Sequence, residues 1–180
     1  MRPRKSSGSG GRQVAKVHCD EQKLYDRIAL EKITIHPFVW DTLYLYLGDH
    51  ISGINFIVSY YVEKDEPIPI VDCQKILRYA RIMNEMVDKI LHPEKMEKEN
   101  HRLEKIKNEN MLMHGVVREL VSHYIGNDIM GINFIVSFYL DPKSEEPVPV
   151  EDAKKLLNYT QSMGAFLDKL RKATKRDVSF

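Results

Sequence analysis

Histidine, cysteine and carboxylate pairs are the residues of this chain that could do chemistry, and their spacing supports little of it. His36 and His114 stand at matching places, each just before an apolar segment. Two such histidines could act as metal ligands or bases related by symmetry. A ligand set, however, needs further donors at helical or turn spacing, and none accompanies them. A histidine that hydrogen-bonds locally at a helix start accounts for both more simply. Asp49-His50 has the composition of a carboxylate–imidazole pair, but the residues 78 positions on are Asn127-Asp128, so the pair does not recur. His18-Cys19 has no CxxC or CxxH partner. The chain contains no GxGxxG, GxxxxGK[ST], HExxH, GxSxG or zinc-finger spacing. No catalytic residue, metal site or cofactor is therefore predicted, and nothing points to an enzyme.

One polar constellation is more informative. Gly53-Ile54-Asn55-Phe56-Ile57-Val58-Ser59 recurs letter for letter as Gly131-Ile132-Asn133-Phe134-Ile135-Val136-Ser137. An asparagine buried in an apolar segment must find amide partners, or it costs on the order of 1–3 kcal/mol. The expected role is structural, with the glycine permitting close helix approach. The functional alternative is a ligand pocket between two related segments, lined by Asn55, Ser59, Tyr61, Asn133, Ser137 and Tyr139.

The elements that must position these residues come in two sets. At the offset of 78, residues 35–62 and 113–140 share 13 of 28 positions, and after a two-residue insertion 66–91 and 146–171 share 10 of 26. We read an internal duplication: repeat 1 at 20–91, a charged connecting helix at 92–112 that opens repeat 2, and the rest of repeat 2 at 113–172, sharing one core with repeat 1. A basic flexible tail precedes them at 1–19 and a basic tail follows at 173–180. Two small units bury little apart, so they are expected to pack about a pseudo-two-fold axis, with a homodimer as the other arrangement.

The fold class expected is mainly α. The stripe Phe38, Val39, Thr42, Leu43, Tyr46, Leu47 matches Val116, Val117, Leu120, Val121, Tyr124, Ile125 at helical period, which predicts helices over about 37–47 and 115–125. Gly48 and Gly126 would stop them in left-handed conformation. Segments 54–62 and 132–140 also alternate like strands, which keeps an α+β fold open. The polar stripe Asn55, Ser59, Glu63 favours helix, with Asp49 or Asp128 near its start. Glu66-Pro67-Ile68-Pro69-Ile70 and Glu146-Pro147-Val148-Pro149-Val150 are too proline-dense for helix. Asp72 and Asp152 would then open or cap long amphipathic helices.

Composition bounds the function. The 180 residues are 43% hydrophobic and 29% charged, ordinary for a globular chain. No apolar run approaches a membrane span, the first residues lack a secretory apolar stretch, and two cysteines give no disulfide framework; a cytoplasmic protein is expected. The net charge of +1 hides +5 over residues 1–19 and +4 over 169–180, which leaves −8 between them. Arg2, Arg4, Lys5, Arg12, Lys16, Arg171, Lys172, Lys175 and Arg176 could meet a polyanion such as nucleic acid. The leading expectation is a non-enzymatic interaction or regulatory protein. Its partner site is sought at Trp40, Tyr44 and Leu45, apolar where the second set carries Arg118, Ser122 and His123. Nucleic-acid association through the ends, or a small-molecule sensor or enzyme with a pocket between the repeats, are the other classes.

Overall fold

A computed structural model describes residues 21–95, 101–142 and 146–174. The tail 1–19 lies outside the described residues, as do 175–180 of the C-terminal tail. The chain is mainly helical, and among the described residues no strand forms. Helix α1 covers 21–30 and buries Tyr25 and Ile28 one turn apart. It closes where Lys32 takes a left-handed φ of 51° and the Ile33 amide reaches back to the Ile28 carbonyl at 2.9 Å. That long backbone bond satisfies a carbonyl the last turn would leave bare.

Helix α2, Pro37–Lys64, is a single run of 28 residues, about 42 Å long at 1.5 Å per residue. It corrects the expected stop at Gly48. No glycine among the described residues has positive φ, and the helix runs on because Ile51, Ile54 and Val58 continue the buried stripe of Val39, Leu43 and Leu47. A glycine inside a helix costs about 1 kcal/mol, too little to break a helix buried along its whole length. Segment 54–62 is thus helix, not strand, and Asp49 lies within α2 rather than at a start. Asp65, left-handed at φ 55°, ends it.

Helix α3, Ile70–Leu91, follows a turn of five residues. Asp72 sits in its first turn; the capping position is Pro69, which offers no side-chain bond. Within 92–112 the described residues are not one helix. Pro93–Lys95 makes a 3₁₀ turn, and helix α4, His101–Asn108, ends at Asn110 with φ 51°. Its closing bond, from the Met111 amide to the Ile106 carbonyl at 2.9 Å, has the form seen after α1. Leu103 and Ile106 of α4 are buried, as Tyr25 and Ile28 of α1 are.

Helix α5, Gly115–Leu120, passes through a π-helical turn, Val121–Ile125, into helix α6, Gly126–Tyr139. Helix therefore continues past Gly126, correcting the expected stop, and carries 132–139, while Leu140 lies just beyond it. Asp128 falls inside the continuous helix. Helix α7, Val150–Thr174, completes the chain and extends two residues into the expected C-terminal tail; the Thr174 hydroxyl donates to the Leu170 carbonyl.

Four long helices surround the core in the cyclic order α2, α3, α6, α7, each packed on two neighbours, so that α2 and α6 lie at opposite corners. The two proline loops meet at one end. Ile68 and Val148, both fully buried, exchange backbone hydrogen bonds of 2.8 and 2.9 Å as an isolated antiparallel bridge. Prolines on either side of each residue lack the N–H that would extend the pairing into a ladder.

Candidate functional site

The two matched histidines cap helices. His36 Nδ1 accepts from the Phe38 amide at 3.2 Å and His114 Nδ1 from the Val116 amide at 3.3 Å, the role that Ser or Asp fills at most helix starts. His50 Nδ1 is buried without a partner among the described residues, and its ring stands edge-on to Tyr79 at 5.4 Å. Asp128, at the matching place in α6, is half-buried; burial pushes its carboxyl above the usual range, opposed by a hydrogen bond from Ser162. Cys73 is buried and burial raises its thiol pKa; His18 and Cys19 lie outside the described residues. Among the described residues no group of three or more His, Cys, Asp or Glu could hold a metal ion, and no described helix is long and apolar enough to cross a membrane.

The residues sought as a pocket fall into separate clusters. Asn55 donates to the Thr160 hydroxyl at 3.2 Å and accepts from Ser59 at 3.1 Å, while Thr160 donates to the Leu157 carbonyl. This network ties α2 to α7. Asn133 Oδ1 is buried with no partner among the described residues. Ser137 is exposed, and where α7 offers Thr160, the position 80 residues earlier in α3 is Ala80.

Tyr61 and Tyr139 turn instead to carboxylates at the starts of the next helices. Tyr61 donates to Asp72 and Tyr139 to Asp152, both at 2.6 Å, and Lys75 and Lys155 hold the other oxygens at 2.7 and 2.6 Å. The lysine and then the tyrosine keep each carboxyl below its ordinary range. Each bonded carboxylate in turn pushes its phenol up to about 12. Phenols so held are not proton acceptors near neutrality. They fasten the end of one helix to the start of the next.

The repeated glycine has a packing reason. A Cβ at Gly53 would stand 3.1 Å from the Tyr79 ring, and one at Gly131 only 2.5 Å from Tyr159. The ring of α3 or α7 crosses its neighbour where no side chain stands.

The feature left over is aromatic and faces water. Phe56 and Phe134, the central letters of the shared heptapeptide, are each 77% exposed. One turn on, Tyr60 is 47% and Phe138 63% exposed. Met130 extends the α6 row by one turn toward its start, and Leu45 continues the α2 row on the same side. Tyr60 and Phe138 each stand edge-on to the following tyrosine, at 5.1 Å in both cases. Along α2, Asp49 and Glu63 lie within the row and Asp41 beside it, all exposed. Of the residues expected to bind a partner, Tyr44 and Leu45 are exposed and Trp40 is half-buried against the core.

A sequence signal for this row existed. A helix apolar on every side except one narrow polar stripe cannot bury all of its apolar residues at a bundle corner, so some of them had to face outward, and packing in the bundle decides which.

Of the basic ends, Arg171 and Lys172 are exposed on the last turn of α7; Arg2, Arg4, Lys5, Arg12, Lys16, Lys175 and Arg176 lie outside the described residues. No family model matches the chain, and comparison with curated proteins and with solved structures finds no match.

Proposed function

We propose that this chain is a non-enzymatic adaptor: an internally duplicated helical bundle that offers one aromatic face per repeat to protein partners. The duplication is supported by the recurring sequence and by the matched order of features: left-handed Lys32 and Asn110, capping His36 and His114, and the tyrosine–aspartate–lysine clusters. A pseudo-two-fold axis through the Ile68–Val148 bridge would exchange repeat 1 at 20–91 with repeat 2, whose main part is 113–172.

The observation that carries the adaptor role is the equal exposure of Phe56 and Phe134. A phenylalanine left in water forgoes about 1.5–3 kcal/mol of burial, and exposed apolar groups gathered in a row mark interaction surfaces. A photo-reactive phenylalanine analogue placed at 56 or 134 in cells should give protein adducts. The same analogue at Asn84 or Gln161, exposed on α3 and α7, serves as control. Adduct yields at 56 and 134 no higher than at the controls contradict the adaptor role.

A further inference from the structure

We infer that the α2 face selects a basic partner: an amphipathic helical segment whose apolar anchors are flanked by lysine or arginine. This builds on the adaptor role and gives one of its faces a ligand class.

The two aromatic rows, Phe56 with Tyr60 and Phe134 with Phe138, differ in charge at one place, where α2 has Asp49 and α6 has Asn127. On α2, Leu45, Phe56 and Tyr60 lie within about 60° of one another around the helix, at about 100° per residue. They run over four turns, about 22 Å. Asp49 and Glu63 fall inside the same sector and Asp41 borders it. None of these three carboxylates has an ion pair or hydrogen bond within the described structure. Lys64, next to the row on α2, donates to the Tyr60 hydroxyl at 2.6 Å and stands over its ring.

On α6 the positions matching Leu45, Asp49 and Ser52 are His123, Asn127 and Met130. Glu119 and Asp141 match Asp41 and Glu63, so that row keeps two acids; it lacks the one at Asp49 and carries His123 in place of Leu45. The α2 row is an apolar strip with acids set into it and beside it, the charge complement of an amphipathic helix that carries basic residues among and beside its apolar anchors. A second copy presenting the same face would bring acids against acids, which is unfavourable.

The test uses the full chain and two labelled helical peptides of about five turns, with leucines at i, i+3, i+4 and i+7. One carries lysines and the other glutamates on the flanks. Fluorescence anisotropy should show the lysine peptide binding at least about tenfold tighter than the glutamate peptide. That preference should shrink as salt rises. Phe56→Ser should abolish binding, Asp49→Asn with Glu63→Gln should weaken it about tenfold, and Phe134→Ser should leave it unchanged. Circular dichroism of each variant establishes that it folds.

Equal binding of the two peptides overturns the inference, as does loss on Phe134→Ser to the same extent as on Phe56→Ser. Concentration-dependent dimerisation in sedimentation that Phe56→Ser removes also overturns it, because the occupant is then a second copy. Any of these results leaves adduct formation at 56 and 134 as the separate measure of the adaptor role.

Discussion

Asn55 and Asn133 occupy the same place in an identical heptapeptide and meet different surroundings. Asn55 has both amide atoms bonded, while Asn133 keeps a buried oxygen without a donor. Removing a satisfied buried amide costs about 1–2 kcal/mol, and removing one already lacking a partner costs far less. Asn55→Ala should therefore lower stability by about 1–2 kcal/mol in urea unfolding and Asn133→Ala by less than half of that. The sequence showed that two asparagines had to be placed. It could not show that one of them would meet Thr160 and the other no equivalent hydroxyl, because that difference lies on other helices, with Thr160 105 residues from Asn55.

Asp128 makes a second residue-scale difference measurable by pH. Its folded pKa is raised by burial, so its charged form is disfavoured in the folded chain. The stability associated with its protonated form is fully present below the ordinary carboxylate pKa, near 4, and is lost as pH rises through the higher folded value. Asp128→Asn, which keeps an oxygen for Ser162, should raise the melting temperature by a few degrees at pH 7 and make little difference below pH 4. A variant no more stable than the parent at pH 7 contradicts this account.

At the scale of the elements, helix ends decide more than propensity does. His36 and His114 supply acceptors to otherwise bare amides. Replacing either with alanine should cost about 1 kcal/mol, and aspartate at the same position should restore it; chemical denaturation of the two pairs of variants checks both. The helical period over Phe38–Leu47 was legible because its buried side chains repeat at i, i+3 and i+4. The end of α2 was not, because Gly48 looks like a stop by its type alone. What overrides it is the continued burial of Ile51, Ile54 and Val58, a tertiary effect. Segment 54–62 had a local signal that pointed correctly. Asn55 and Ser59 could bond as neighbours only at the i, i+4 spacing of a helix, and they do so at 3.1 Å.

For the whole molecule, the helix order around the core explains why the aromatic rows were harder to anticipate than the core. Each long helix packs on two neighbours, so every one keeps an outward side whose identity depends on the bundle and not on the helix alone. Trp40, Tyr44 and Leu45 drew attention by differing between the two segments. Phe56 and Phe134 are identical and so resembled core. Their exposure at opposite corners gives the molecule two separated faces, and the central claim is that these rings serve a partner rather than the fold. Equilibrium urea unfolding of the double variant Phe56→Ser/Phe134→Ser tests it most directly. Serine and phenylalanine differ little in helix propensity, and both rings already stand in water. The account predicts a change of less than about 1 kcal/mol; a loss of about 3 kcal/mol or more, the cost of truncating a core phenylalanine, would contradict it.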